Sequence, residues 1–190
     1  NGINGSPIIP GDKSISHRSI IIPSISQGIC EVKNCLKSGD VINTLNAFTS
    51  MGVKINQKDD KIIIYGKGLN SLKKPDKAIY LGNSGTSARL LTGLLSSQNF
   101  NTILTGDKSL SSRPMERISK PLTKMNAEIL TNKGKMPMNI VGKNLINKEI
   151  EIVIPSAQIK SGLLLAALNT KGITKIIENK ITRDHTEIML

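Results

Sequence analysis

The sequence PGDKSISHRS, from Pro10 to Ser19, joins a turn, two cations and three hydroxyls to an apolar run over 20–22. A glycine-containing turn before a helix leaves backbone N–H groups unpaired, and the helix dipole favours negative charge at that end. Lys13 adds a compact charge, and Arg18 adds a planar fork that suits phosphate or carboxylate. The stretch predicts an anion site; the alternative is a capped, solvated helix start with ordinary surface cations.

The elements around this stretch follow from hydrophobic periodicity and turn residues. Residues 1–9 are predicted to form a strand or arm that leads into the turn. An apolar helix is predicted over 16–26, and Pro23 should kink or shorten it. The next predicted elements are a strand over 29–36, an amphipathic helix from Ser38 to Gly52, and a hairpin of 53–56 with 61–65.

The same order of elements then begins twice more. The second copy opens with LGNSGTSAR at 81–89 and has a predicted strand over 102–105. Its second helix is predicted to start at Ser111, with Pro114 in its first turn, and to bury the apolar stripe Met115, Ile118, Leu122 and Met125. The third copy opens with PSAQIKS at 155–161 and reaches TRDH at 182–185. Each unit reads βαβαββ over about 70 to 74 residues, and the third is incomplete. We divide the chain into an arm and hinge over 1–12 and a substrate-binding domain over 13–190, with repeats at about 13–80, 81–150 and 151–190.

The repetition predicts a mixed α/β (α+β) fold of the inside-out kind. Helices that are apolar nearly all round must be buried on all sides, so the first helix of each unit should lie inside and the sheets outside, as an inside-out α/β barrel. Pseudo-threefold symmetry should bring three Gly/Ser-rich helix starts to one end, where they can bind several anionic groups. The cations expected there are Lys13, Arg18, Arg89, Arg113, Lys160 and Arg183.

Composition restricts the class of partner. The formal net charge of +12 favours anions as partners, namely phosphorylated small molecules, nucleic acid or an anionic membrane surface. The chain has only four scattered aromatic residues, which disfavours nucleic acid. No apolar run approaches roughly 18 residues and no signal-peptide pattern is visible, so we expect a cytoplasmic protein with no membrane contact. Cys30 and Cys35 are predicted to be buried thiols rather than a zinc site or a disulfide.

Five motifs, in order and spacing, resemble the N-terminal half of the EPSP synthase family. They are PGDKSISHRS, LGNSGTSARLL, SSRPMERISKPL, PSAQIKSGLLLAAL and TRDHTEIML, which begin at residues 10, 81, 111, 155 and 182. The sister family, UDP-N-acetylglucosamine enolpyruvyl transferase, is the nearest alternative. The residues of the first and fourth motifs favour the EPSP synthase family. Members of the family are more than twice as long, so the resemblance implies a second similar domain that this sequence does not contain.

The resemblance implies a reaction and a set of site residues. The family transfers the enolpyruvyl group of phosphoenolpyruvate to the 5-hydroxyl of shikimate 3-phosphate and releases phosphate, without a metal or redox cofactor. Lys13 matches a catalytic lysine between both substrates. Matches on the shikimate 3-phosphate side are Lys13, Ser14, Arg18, Ser156, Ala157, Gln158 and Arg183, the last at a position that reaches this substrate in part of the family. Matches on the phosphoenolpyruvate side are Lys13, Asn83, Gly85 and Arg113.

Some residues depart from the family pattern, and others are expected to lie outside the predicted site. Leu90, Pro23 and Gly162 differ from the usual family residues, but none of them removes a ligand. The acid/base residues of the family lie in the other domain, so this half is expected to bind substrate without turnover. His17 and His185 are interpreted as hydrogen-bonding residues rather than bases. The acidic residues interpreted as helix caps or partners of cations are Asp12, Asp40, Asp107 and Asp184.

Two other functions remain open on the sequence. A non-catalytic anion-binding module would use the same helix starts, and continuation of the parent gene into a second domain would argue against it. A nucleic-acid binder driven by the positive charge would lose affinity steeply as salt is added in a gel-shift titration.

Overall fold

The first helix, α1 (Lys13–Ile25), shows how the opening stretch folds in the computed structural model, which describes residues 2, 4–7, 9–58 and 60–190. The Asp12 carboxylate accepts a hydrogen bond of 2.8 Å from the Ile15 N–H, so the helix begins three residues earlier than predicted. Pro23 lies in the last turn, and the helix ends two residues later. The described residues before Asp12 form neither helix nor strand, and residues 1, 3 and 8 of the predicted arm lie outside the described residues.

The remaining elements form three successive groups of helices and strands. The first repeat continues with β1 (Gln27–Lys33), α2 (Gly39–Ser50), β2 (Lys54–Lys58) and β3 (Lys61–Lys67). The second contains β4 (Ile79–Tyr80), α3 (Gly85–Ser96), β5 (Thr102–Thr105), α4 (Lys108–Ser112), α5 (Glu116–Thr123), β6 (Glu128–Asn132) and β7 (Lys135–Val141). The third contains β8 (Glu149–Ile152), α6 (Ala157–Ala167), β9 (Lys175–Glu178) and α7 (His185–Met189).

The second helical part of the second repeat is divided, where the sequence predicted a single helix from Ser111. Arg113 ends α4 in an extended conformation, with ψ of 143°. A proline disfavours the helical region for the residue before it, and Pro114 follows Arg113 directly. The predicted apolar stripe of this part is confirmed, since its four residues, Met115, Ile118, Leu122 and Met125, are fully buried.

Each repeat contributes its own sheet. The first sheet has the order β1-β3-β2 and is antiparallel, with Glu31 opposite Ile63 and Asn56 also opposite Ile63. The second has the order β4-β5-β7-β6, in which only the β4–β5 pair is parallel, and the third is the parallel pair β8-β9. The mixed α/β class is confirmed, and none of the sheets formed by the described residues closes into a barrel.

The first helices of the repeats, α1, α3 and α6, lie in the interior, as predicted. Four leucines of α3 are fully buried: Leu90, Leu91, Leu94 and Leu95. A Cβ on Gly93 would lie 1.8 Å from the Gly162 carbonyl oxygen, and one on Gly162 would lie 2.7 Å from the Arg89 carbonyl oxygen. The two glycines therefore allow the backbones of α3 and α6 to approach closely, which gives a physical role to the departure at Gly162.

None of the helices in the described residues is long and apolar enough to cross a membrane.

Both cysteines are free thiols, and Cys35 is buried as predicted. Cys30 is only half-buried, because β1 lies at the edge of its sheet.

Candidate anion-binding site

The starts of α1, α3 and α6 converge on one cleft. Their N-caps, Asp12, Ser84 and Ser156, follow one another at intervals of 72 residues, and each accepts a hydrogen bond from a backbone N–H of the first turn. The second helical residues, at positions 14, 86 and 158, line the cleft together. The predicted meeting of three helix starts is therefore present in the structure, and it concentrates partial positive charge in one place.

We call this space the polar cleft; its volume is about 520 Å³. Its lining residues are Asp12, Lys13, Ser14, Asp40, Asn83, Gly85, Thr86, Arg113, Gln158 and Arg183. Seven of the ten residues predicted from the sequence line it, and three do not: Arg18, Ser156 and Ala157. Ser156 and Ala157 directly precede Gln158 at the start of α6, so they lie at the edge of the polar cleft.

Lys13 extends from the first helical position of α1 and forms an ion pair with Asp40 at the start of α2. The Lys13 side chain is 52% exposed and the Asp40 side chain only 18% exposed. Because the carboxylate is the more enclosed partner, it can orient the ammonium group while the ammonium stays accessible to an anion. This confirms the interpretation of Asp40 as a residue that orients a cation.

Two arginines meet beside the first turn of α3. Arg113 donates from Nη2 to the Asn83 side-chain oxygen, which holds the guanidinium in the cleft. A Cβ on Gly85 would lie 2.8 Å from Nη1 of Arg89 and 2.9 Å from Nη1 of Arg113. The absence of a side chain at Gly85 therefore leaves the space that both guanidinium groups occupy.

Arg89 supports a neighbouring ligand candidate rather than facing the cleft. It donates to Gln158 Oε1 at 2.9 Å and to the Gly85 carbonyl at 3.1 Å, and Gln158 Nε2 donates to Thr86 Oγ1 at 3.0 Å. Burial, followed by repulsion from Arg113 and Arg117, lowers the pKa of Arg89. The Gln158 amide is thus fixed between the starts of α3 and α6. Thr86 was missed by the sequence analysis, although its equivalence with Ser14 and Gln158 in the repeat could have identified it.

Arg18 lies beneath the cleft wall and is 3% exposed. Its guanidinium donates to the Ser14 carbonyl at 2.9 Å, to Thr186 Oγ1 at 2.6 Å and to Ser161 Oγ at 2.7 Å. Burial lowers its pKa, and Glu187 opposes that effect. Arg18 therefore supports the first turn of α1 from inside, and its contact with a substrate phosphate stays a prediction.

His17 is fully buried between the first turns of α1 and α3. Its Nδ1 lies 2.8 Å from Thr44 Oγ1 and 3.2 Å from Ser87 Oγ, and its Nε2 lies 3.5 Å from Ser84 Oγ. Burial, followed by the nearby charge of Lys13, lowers the pKa of His17 to about 4. The imidazole is therefore neutral near pH 7, and its role as a hydrogen-bonding residue agrees with the sequence interpretation.

Asp107 and Lys160 have structural partners. Asp107 caps α4 by accepting from the Leu110 N–H at 2.7 Å, whereas Asp184 occupies the N-cap position of α7 without a side-chain capping hydrogen bond. Lys160, expected among the site cations, instead lies inside α6 and pairs with two glutamates. Burial disfavours its charge, but these two contacts outweigh that effect and raise its pKa. In the described part of the chain, no group of three or more His, Cys, Asp and Glu side chains could hold a metal ion.

Fold and site together define a class: a mixed α/β domain of repeated units whose helix starts form one cleft with Lys and Arg side chains, suited to small anions. The family model described as EPSP synthase (3-phosphoshikimate 1-carboxyvinyltransferase) matches residues 1–190. The chain therefore belongs to the EPSP synthase family, and the resemblance inferred from the five motifs is confirmed.

Individual relatives agree with this assignment. The chain is 50% identical over 191 residues to the 3-phosphoshikimate 1-carboxyvinyltransferase of Ruthia magnifica subsp. Calyptogena magnifica, covering 100% of this chain and 44% of that protein. It is 49% identical over 193 residues to the enzyme of that name from Lactococcus lactis subsp. lactis (strain IL1403), covering 100% of this chain and 45% of that protein. The solved EPSP synthase from Acinetobacter baumannii matches with a TM-score of 0.93 and 48% identity, over 96% of this chain and 42% of that chain. The chain thus spans less than half the length of these relatives.

Proposed function

We propose that these residues form the shikimate 3-phosphate-binding half of a cytoplasmic enzyme that transfers the enolpyruvyl group of phosphoenolpyruvate to the 5-hydroxyl of shikimate 3-phosphate. Family membership and the names of the relatives support this reaction. The observation that carries the proposal is the polar cleft, where three helix starts meet Lys13, Arg113 and Arg183. Its volume of about 520 Å³ lies in the range typical of small-molecule sites.

One side of the cleft suits shikimate 3-phosphate. The hydroxyl of Ser14 and the start of α6 at Ser156 and Ala157 supply donors for a phosphate, and Arg183 supplies a planar cation. The amide of Gln158, already oriented by its hydrogen bonds, suits the hydroxyl groups of the ring. Arg18 would act on this substrate from beneath, through the first turn of α1 or after a rearrangement of its side chain.

The other side suits phosphoenolpyruvate. Arg113 can bind a phosphate or carboxylate with its planar fork, and Asn83 already orients it. Gly85 leaves the backbone of the first turn of α3 open to a small anion. Lys13, on α1, lies in the same cleft as both sets of residues. We assign it the catalytic role of stabilising negative charge that develops on the reacting groups, which is strongest where water is excluded.

The same geometry argues that the 190 residues bind but do not catalyse alone. Addition of the 5-hydroxyl to the double bond requires one group that removes the hydroxyl proton and one that protonates the methylene carbon. The two carboxylates of the polar cleft are already engaged, since Asp12 caps α1 and Asp40 pairs with Lys13. We therefore place the acid/base groups in a second domain, which would also close the cleft and exclude water.

Phosphate release from the two substrates tests the proposal. The full-length protein should release phosphate only when both substrates are present, and Lys13→Met should reduce the rate severely. The 190 residues expressed alone should show no turnover above the Lys13→Met background, and adding the remaining part in trans should restore it. Failure of the full-length protein to release phosphate would refute the proposed reaction. Turnover by the 190 residues alone would refute the division of roles.

A further inference from the structure

Lys160 occupies an unusual place for a lysine, because it is buried on α6 and does not line the polar cleft. Its side chain is 8% exposed, and its Nζ lies 2.6 Å from an oxygen of Glu178 and 2.6 Å from an oxygen of Glu187. A buried lysine with two carboxylates is costly to desolvate, so such a cluster is weak evidence for stability alone. Its position in the chain suggests a different use.

The two glutamates lie on either side of the segment that carries Arg183. Glu178 ends β9, and Glu187 lies on α7, so Lys160 fastens both ends of residues 178–187 to α6. Inside that segment the Thr182 hydroxyl donates to the second oxygen of Glu178, and the Thr182 carbonyl lies 3.5 Å from the Lys160 Nζ. The residue directly before Arg183 is therefore held by the same cluster.

A second set of contacts holds α7 itself. Thr186 donates to Ser161 Oγ at 2.7 Å and accepts from Arg18 Nε at 2.6 Å. Ser161 follows Lys160 directly on α6. The path of the chain through Arg183 is thus determined by contacts with α6 and α1, whereas Arg183 itself reaches the polar cleft.

We propose that Lys160 is a positioning residue for anion binding, which acts by holding residues 178–187 so that Arg183 lies in the polar cleft. The inference rests on the proposed function, because the anion it concerns is shikimate 3-phosphate. It assigns to the buried Lys160 and its partners Glu178 and Glu187 the task of orienting Arg183 through the path of the chain rather than by a direct ion pair.

The test compares Lys160→Met with a matched control in the full-length protein. Lys175→Met is the control, since Lys175 forms an exposed ion pair with Glu149 across the same two-stranded sheet. Titration calorimetry with shikimate 3-phosphate should give a dissociation constant about tenfold higher for Lys160→Met and unchanged for the control. Lys160→Arg, which keeps the charge, should recover most of the affinity.

A double-mutant cycle separates positioning from a general structural role. Arg183→Ala alone should weaken binding about tenfold, and adding Lys160→Met to it should change affinity by less than about twofold, because Lys160 acts through Arg183. An equal tenfold loss in both backgrounds, or no loss from Lys160→Met, would overturn the inference. If Lys160→Met does not fold, Glu187→Gln replaces it in the same cycle, since it releases α7 and leaves the Lys160–Glu178 pair intact.

A measurement without substrate distinguishes failure of this inference from failure of the proposed function. Lys160→Met or Glu187→Gln should speed amide hydrogen exchange across 179–187 and leave α3 unchanged. If the wild-type protein does not bind shikimate 3-phosphate, the proposed function is refuted. Faster exchange in residues 179–187 of the variants would still support the positioning of Arg183 by Lys160. Unchanged exchange in these residues overturns the positioning inference.

Discussion

Replacing His17 should remove a large part of the acid sensitivity of this domain. The imidazole is fully buried and is surrounded by the hydroxyls of Thr44, Ser84 and Ser87. Its folded-state pKa of about 4 lies below the unfolded value of 6.5, so the unfolded state binds the proton more tightly. The stability associated with neutral His17 is therefore complete above pH 6.5 and is lost as the pH falls towards 4.

The two pKa values set the size of the effect. Linkage between them gives a loss of about 2 kcal/mol of unfolding free energy between pH 7.5 and pH 5.0, and about 3 kcal/mol when protonation is complete. A change of about 2 kcal/mol corresponds to roughly 4 to 8 °C in melting temperature for a chain of this size. At pH 5.0 most ordinary carboxylates are still ionised, so the titration of His17 should dominate the difference in unfolding free energy between the two pH values.

Urea unfolding of wild-type, His17→Asn and His185→Asn chains at these two pH values measures the effect. His17→Asn should be less stable than wild type at pH 7.5, because the hydroxyl groups of Thr44, Ser84 and Ser87 lose their contact with the imidazole. Its stability should nevertheless change little between the two pH values. His185→Asn removes an imidazole outside this network and should keep the wild-type loss. If His17→Asn loses the same 2 kcal/mol as wild type, or if proton NMR places the His17 titration near 6.5 in the full-length protein, the reasoning is refuted.

Three further predictions concern the cleft and the packing beneath it. Lys13→Met should weaken the binding free energy of shikimate 3-phosphate by at least about 2 kcal/mol in calorimetry, since a phosphate loses a charge-assisted partner. Unchanged affinity would contradict the role of Lys13. Gly85→Ala should weaken phosphoenolpyruvate binding more than shikimate 3-phosphate binding, because the methyl would crowd Arg113 directly, whereas its contact with Arg89 would reach the second substrate only through Gln158; equal losses would make Gly85 only a turn residue. Gly93→Ala should destabilise the fold by about 3 kcal/mol or more in urea unfolding, because its methyl meets the Gly162 carbonyl, whereas the control Gly39→Ala has open space and should change little.

Much of the fold could be predicted because the sequence repeats its local patterns. The strand over 102–105 was located to the residue, and the amphipathic helix after Ser38 begins where predicted, because hydrophobic period and capping residues are local properties. The start of α1 was placed too late, at residue 16, although Asp12, interpreted as a helix cap or a partner of cations, does cap it. The interruption at Pro114 was missed because proline was interpreted as a first-turn residue rather than as a constraint on Arg113.

The candidate site was less predictable, because burial depends on distant contacts. The sequence placed six cations near the helix starts, and Lys13, Arg113 and Arg183 do line the polar cleft. Arg18 and Lys160 have the same local signals, but they face Ser161, Thr186 and two glutamates inside the domain. A sequence pattern gives the type of a side chain and the helix it lies on, whereas the direction it faces is decided by contacts with other elements, here α6, α7 and β9.

Amide chemical-shift mapping with shikimate 3-phosphate tests the central claim most directly. The claim is that three equivalent helix starts form one binding site, so a titration of the full-length protein should move the amide signals of Ser14, Thr86 and Gln158 and of their first turns together, with a single dissociation constant. The opposite ends of the same helices, near Ser26, Ser97 and Leu168, should stay unchanged. Shifts confined to one helix start, or centred on those opposite ends, would contradict the account.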